Sequence, residues 1–479
     1  MNTLALAPGL SISRVVNGLW QIADRERHGQ KVDLHAAADA MLPYVESGLT
    51  TFDMADHYGS AEEIVGTFRQ RYPNQRVQAF TKWVPEPGPV TREAVKAAID
   101  RACGRLQTDC IDLMQFHAWS YAHPSWLDAL FLLAEEKAAG RIAHLGVTNF
   151  DTAHLHIALA SGLPIITNQI CFSLLDQRAA GAMTALCQRY GVKLLAFGVL
   201  AGGFLSDTWL NKPEPVLSET LSWSQMKYKR FIDVAGGWEK FQALLQVLHT
   251  VARKHGTTIS TVAVQCMLQE PAVAAVMVGT RLTSAAHIGE NNRALALSLS
   301  ASDLEAIRAA QANFSPVPGD CGDEYRRPPF LTASGDLSHH VNSFPKPYPV
   351  KTDARGTAHA LSGTVWEDLA GFSRAVRKGN RILISGTTST LGSRAVGGPD
   401  AAAQTHFVID KLEGALQSLG ATLENVVRTR IFIRNIDDWE AVARAHGSRF
   451  AHIQPANTMV RADLIGDEYL VEIEAEADV

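Results

Sequence analysis

Residues 111–147, IDLMQFHAWSYAHPSWLDALFLLAEEKAAGRIAHLGV, decide the fold. The run 111–116 is short, apolar and closed by His117, and the run 142–147 has the same character. Between them, 124–139 read as an amphipathic helical stretch. A strand, a helix and a second strand in that order form one parallel crossover unit.

The same alternation extends in both directions. Short β-rich runs fall at 15–20, 50–54, 77–82, 164–169, 192–197 and 272–278, with helical stretches such as 91–106 and 240–255 between or after them. With the two strands above, this predicts an α/β fold of the (β/α)8 TIM-barrel type over residues 1–313, whose chemistry sits where strands end. A chain of 479 residues exceeds a single core, which stops growing near about 250–300 residues, so a further domain is expected.

Residues 314–361 are rich in Pro, Gly, Ser and charge, show no period of 3.6 or 2, and read as a linker. Beyond it the strand RILISG (381–386) precedes a helix over 404–419, capped by Gly420. In VVRTRIFIR (426–434), Val427, Thr429, Ile431 and Ile433 are expected on one face, with Arg428, Arg430, Phe432 and Arg434 on the other. The last strand, 469–477, opposes Glu472, Glu474 and Glu476 to Tyr469, Val471, Ile473 and Ala475. Residues 362–479 thus read as a small α+β unit.

Composition narrows the function. A net charge of −5 without a basic block argues against nucleic acid, and the chain has no apolar run long enough to span a membrane and no secretion signal at its start. A cytoplasmic location is expected. Six cysteines without CxxC spacing suggest neither a disulfide framework nor a metal site.

Four ionisable residues converge on one barrel mouth: Asp53 and Tyr58 just after the second strand, Lys82 ending the third, and His117 ending the fourth. A cation 4 Å from a phenolate at an effective dielectric near 20 is worth about 4 kcal/mol, or up to about three pKa units, before desolvation opposes it. Lys82 thereby favours ionisation of Tyr58, Asp53 holds Lys82 charged, and His117 is free to hydrogen-bond a substrate oxygen.

The segments TFDMADHYG (51–59), AFTKW (79–83), MQFHAW (114–119), GRIAHLGVTNF (140–150), TNQICF (167–172) and LLAFGVLAGG (194–203) stand in the order found in aldo-keto reductases, and residues 8–313 resemble that family. The resemblance implies that Asp53, Tyr58, Lys82 and His117 are catalytic, with Tyr58 as general acid in hydride transfer between a nicotinamide and a carbonyl. It further implies cofactor contacts from Trp20, Thr148, Asn149, Gln169, Phe197, Gly198, Leu200, Gly202 and Gly279. Arg281, His287 and Asn291, in a segment that opens the last barrel helix, would hold the adenosine end. Arg281 implies NADP(H), with NAD(H) the alternative. Trp83 and Trp119 are expected at the substrate pocket. All four catalytic positions precede the linker, so removal of the chain beyond about 315 is expected to leave a working reductase.

Residues 362–479 resemble the RidA (YjgF) family of enamine/imine deaminases, of chorismate-mutase-like fold, through WEDLAGFSRAVRKGNRILISGTTS (366–389), LGATLENVVRTRIFIRN (419–435), QPANTMV (454–460) and VEIEAEA (471–477). The resemblance implies trimers with clefts between subunits, with Asn457 and Glu472 at the cleft. Asn457 stands where deaminating members carry a carboxylate-gripping arginine, and an amide cannot supply that bidentate pair. The arginines of 428–434 form either an anion site or, more simply, a ladder of ion pairs to Glu472, Glu474 and Glu476. The expected protein is an NADP-dependent reductase of a small carbonyl or alcohol, homo-oligomeric through its second domain. A cofactor-binding regulatory or assembly protein, and a dehydrogenase of a sugar or alcohol working oxidatively, are the alternatives.

Overall fold

The computed structural model describes residues 3–479 except 28, 30, 219, 284 and 286. Two of these, Ser284 and Ala286, belong to the sequence segment read as the adenosine end, and that part of the reading lies outside the described residues.

A hairpin, β1 (Thr3–Ala7) and β2 (Leu10–Ser13), precedes the barrel. The barrel strands are β3 (Val15–Gly18), β4 (Thr51–Asp53), β5 (Gln78–Trp83), β6 (Ile111–Phe116), β7 (Ile142–Thr148), β8 (Ile165–Cys171), β9 (Lys193–Phe197) and β10 (Val273–Gly279). They close in the order β10-β3-β4-β5-β6-β7-β8-β9, every pairing parallel. The eight expected strands are all present. The first is shorter than read: it ends at Gly18, opposite Asp53 and Gly279, where both partner strands run out, and Trp20 instead opens the helix Trp20–Arg27. Leu6, Leu10 and Ile12 of the hairpin pack with Phe80, Leu113, Leu195 and Ala275 and close the barrel at the end away from the strand C-termini.

The helices between strands take their ends from the caps the sequence supplies. Thr91 accepts from the amide of Ala94 ahead of Arg92–Leu106, Asp151 from that of His154 ahead of Thr152–Ala160, and Thr258 from that of Thr261 ahead of Ile259–Leu268.

The second unit is a sheet of seven strands: β11 (Val350–Thr352), β12 (Ala358–Ala360), β13 (Ala375–Lys378), β14 (Arg381–Thr388), β17 (Val426–Ile433), β18 (Ala456–Arg461) and β19 (Val471–Asp478). Its order is β11-β12-β13-β14-β19-β17-β18, with β17 and β18 parallel, and a separate two-strand ribbon, β15 (Thr390–Leu391) and β16 (Arg394–Ala395), lies beside it. The stretch 314–361 is therefore not devoid of regular structure, since β11 and β12 come from its end and a helical turn, Asp323–Tyr325, from its start.

One strand face also differs from the alternation read in the sequence. A bulge between Val426 and Arg428 puts Val426 in the core and leaves Val427 half exposed, because one extra residue shifts the side-chain parity. From Thr429 onward the expected alternation returns, and Arg430 pairs with Glu474 and, at 2.9 Å, with Glu476. The full ladder does not form. Glu472 lies opposite Phe432, and Arg434 donates to the carbonyls of Tyr469, Leu464 and Gly466.

The helix Ala401–Ser418 is buried along nearly its whole length, because one side lies on its own sheet and the other on the barrel helix Thr152–Ala160. Polar groups mark that contact. His154 Nδ1 stands 2.6 Å from Asp151, and its Nε2 forms an ion pair at 2.9 Å with Asp410, which in turn pairs with Arg449 at 2.7 Å. His156 and Asp400 make a second pair at 2.8 Å.

Candidate active site

The C-terminal ends of the barrel strands surround a cavity of about 750 Å³. Asp53 ends β4 and Lys82 lies near the end of β5, so adjacent parallel strands bring them together: Lys82 Nζ donates to Asp53 Oδ2 at 2.5 Å and to the Met54 carbonyl at 2.9 Å. The other Asp53 oxygen accepts from Gln169 Nε2 at 2.7 Å and from Gln115 Nε2 at 3.2 Å. Burial lowers the Lys82 pKa below its ordinary value although the Asp53 charge opposes it. The Lys82 ammonium lies 5.1 Å from the centre of the Tyr58 ring, which packs edge-on to Trp20 and His57.

His117 follows β6. Burial, reinforced by the Arg326 charge, holds its pKa well below the usual imidazole value, so the ring is neutral at physiological pH. Its Nδ1 stands 3.4 Å from the Thr148 carbonyl and 3.5 Å from the Asn149 amide nitrogen, while Nε2 has no hydrogen-bond partner in the protein. A buried, unpartnered Nε2 at the cavity wall is suited to bonding a ligand oxygen.

All twelve residues expected to touch a cofactor line this cavity. Thr148, Asn149 and Gln169 do so at the ends of β7 and β8, where Thr148 Oγ1 donates to the Gln169 carbonyl and Asn149 takes φ 58°. Phe197 ends β9, and the turn through Gly198, Leu200 and Gly202 follows. Gly202 has φ 65°, and a Cβ there would come within 2.8 Å of the Ser224 carbonyl oxygen, so a side chain is excluded by conformation and by space. Trp20, Gly279, Arg281, His287 and Asn291 line the rest. Arg281 is exposed and does not open a helix: the helix Ile288–Ala296 starts seven positions later, with His287 as its cap residue. The residues fit a nicotinamide dinucleotide: a glycine turn admits close approach, and Asn149 Oδ1 joins His117 Nε2 as a buried polar atom lacking a protein partner.

Trp119 lines the cavity, 4.4 Å between ring centres from His117. Trp83 does not. It points into the core against Phe116, because β5 alternates and Lys82 takes the inward direction. Asn457 and Glu472 lie apart, on the second sheet. Asn457 is exposed on β18 and donates to Thr429 Oγ1 at 2.9 Å, while burial raises the Glu472 pKa despite nearby Arg374.

Residues beyond 314 contribute what sequence reading did not assign. Tyr325, Thr332, Ala333 and His340 form one wall of the cavity. Arg326 reaches back to the Ala118 carbonyl at 2.5 Å and the Asn149 carbonyl at 2.6 Å, and its guanidinium lies 4.3 Å from the Tyr121 ring centre. Gly322 packs on the same carbonyl, where a Cβ would stand 2.0 Å from Asn149 O. A chain cut near 315 therefore loses part of the site, contrary to the expectation from the positions of the four catalytic candidates. Lys227, from the helix Trp223–Val234, also faces the cavity.

A closed parallel barrel with a buried Asp–Lys pair, a tyrosine and a neutral histidine at the strand ends, beside a glycine-lined turn, defines a nicotinamide-dependent oxidoreductase barrel. Residues 14–312 match the model of the Aldo/keto reductase family, and the chain belongs to that family. Residues 365–479 match the model described as Endoribonuclease L-PSP. The chain is 28% identical to Protein tas of Escherichia coli over 327 residues, covering 59% of this chain and 92% of that one. It is 24% identical to an NADH-specific methylglyoxal reductase of Escherichia coli, covering 62% and 94%. A solved structure from Mycobacterium tuberculosis, a member of the YjgF/YER057c/UK114 family, is 41% identical over 26% of this chain and 99% of its own, with a TM-score of 0.24. The protein is thus an aldo/keto reductase with an appended RidA (YjgF) domain.

Proposed function

We propose that the barrel interconverts a carbonyl and an alcohol, with Tyr58 as the proton donor and acceptor. The observation that carries this is the buried Lys82–Asp53 pair beside the Tyr58 ring, with the unpartnered Nε2 of neutral His117 on the same cavity. Bound in the cleft, the nicotinamide would supply or accept the hydride. Asp53 keeps Lys82 charged against its desolvation, and Lys82 stabilises the phenolate that Tyr58 becomes as it releases its proton to the substrate oxygen. With His117 Nδ1 accepting from the Asn149 amide, Nε2–H donates to that same oxygen and polarises the carbonyl. Thr148, Asn149 and Gln169 hold the carboxamide, Phe197 stacks on the ring, and the Gly198–Gly202 turn admits the diphosphate.

We read Arg281 as the contact to the 2′-phosphate of NADP(H), since it is exposed at the cavity edge and a guanidinium matches phosphate geometry. One relative's name specifies NADH, so this preference is a property of these adenosine-end residues rather than of the family as a whole. The substrate is a small carbonyl or alcohol. For the C-terminal unit, beginning near 348 rather than 362 because β11 and β12 complete its sheet, the reading is assembly into a homo-oligomer, a trimer by resemblance, with Asn457 precluding efficient deamination. Oxidation of NADPH by the purified chain with a panel of aldehydes tests the first reading, and light scattering the second. Absence of turnover with every aldehyde, or a monomer in solution, would overturn them respectively.

A further inference from the structure

Lys227 lines the cavity and keeps partial solvent access, while its ammonium is walled by aromatic rings. It lies 4.7 Å from the Tyr325 ring centre, 4.9 Å from that of Phe197, 5.5 Å from Tyr228 and 5.8 Å from Phe231. Rings favour a cation through their faces, yet they accept no strong hydrogen bonds. An ammonium carries three N–H donors. Among the described residues one oxygen accepts from it, the Tyr325 hydroxyl at 2.6 Å, and no carboxylate stands within ion-pairing distance. Glu324 is adjacent in sequence, but its carboxylate pairs with Arg178 at 2.9 Å, and Arg178 also pairs with Asp176. Lys227 thus gains charge balance from that buried group without a direct anion, and the Tyr325 hydroxyl is the one acceptor it has among the described residues.

We propose that Lys227 recognises an anionic group of the substrate, so that the carbonyl compound this protein reduces carries a carboxylate. The inference rests on the reductase reading of the same cavity. The Tyr325 ring, over which the Lys227 ammonium lies, is 5.8 Å from the His117 ring. His117 and Lys227 thus flank one aromatic ring, and the expected substrate has a short carbon chain or one ring between carbonyl and carboxylate. The diphosphate of the cofactor is the other source of such an anion. The contact with Tyr325, on the His117 side of the cavity, favours the substrate.

The test uses the full chain saturated with cofactor and the tryptophan fluorescence of a cavity that includes Trp20, Trp119 and Trp223. Benzoate should bind at least about tenfold more tightly than benzamide, Lys227→Met should bring the two to near parity, and Lys227→Arg should keep most of the difference, since a charge-assisted bond is lost only in the first variant. In turnover, the ratio of kcat/KM for para-carboxybenzaldehyde over benzaldehyde should fall at least about tenfold in Lys227→Met. Equal binding of benzoate and benzamide by the unmodified protein would overturn the proposal, as would a Lys227→Met variant that binds cofactor more weakly yet keeps the benzoate preference. If neither aldehyde turns over, the reductase reading fails while the benzoate titration still decides the anion site.

Discussion

His154→Gln removes a cation standing between two buried carboxylates that belong to different units of the chain. The imidazole is almost wholly buried, stacked at 3.4 Å between ring centres on Tyr121, with Asp151 of the barrel on one nitrogen and Asp410 of the second unit on the other. Glutamine keeps comparable bulk and offers one donor group, so one carboxylate faces a carbonyl oxygen instead of a proton. Taking one partner from a buried ion pair costs about 3–5 kcal/mol, and a loss of that size is expected in urea unfolding near pH 6. The pH dependence follows from the shifts. Burial opposes the charge on His154, but Asp151 and Asp410 outweigh it and raise the pKa, so the stabilisation is full below the unfolded value of about 6.5 and is lost as pH rises through the raised folded value. His154 and, for Asp410, Arg449 lower the carboxylate pKa values of Asp151 and Asp410 against burial, so their contribution is present above about 4 and is lost as pH falls through the lowered values. The gap between natural chain and variant should therefore be widest between about pH 4 and 6.5 and should narrow in alkali. A difference below about 1 kcal/mol at pH 6, or one unchanged into alkali, would refute a charged His154 at this contact.

Arg281→Ala should weaken NADPH binding by roughly 10–150-fold and NADH hardly at all, read by fluorescence titration; equal weakening of both would make Arg281 structural. A chain ending near 315 should lose carbonyl reduction, because Tyr325, Arg326 and His340 leave with the deleted segment, and an active truncated enzyme would show that this wall is dispensable. Lys82→Met should lower kcat by at least about a hundredfold and move the alkaline limb of its pH profile upward, since Tyr58 loses the charge that favours its phenolate; an unshifted profile would contradict that coupling.

The barrel was legible because each of its strands is buried on both faces and reads as a short apolar run, and a polar residue at the end of a run marks the mouth. Asp53, Lys82 and His117 were found in that way. What could not be read is set by contacts far apart in the chain. Arg326 meets Ala118 across 208 positions, and nothing in a Pro- and Gly-rich stretch announces such a partner. The strands β11 and β12 have three residues each, too few for a period to show, and exist because β13 offers them an edge. Val427 departs from its expected face because a bulge leaves the alternation intact in the letters while shifting it in space. Trp83 is a case of parity: next to an inward Lys82, it had to point outward.

The most direct test of the mechanism is a single-turnover measurement of hydride transfer in Tyr58→Phe with NADPH and an aldehyde that the unmodified protein reduces. The ring and its packing against Trp20 remain, and only the hydroxyl is lost. General acid catalysis is worth about 10²–10⁴-fold, so the rate should fall by that factor while cofactor affinity stays within about twofold. A fall of less than about tenfold would contradict Tyr58 as the proton donor.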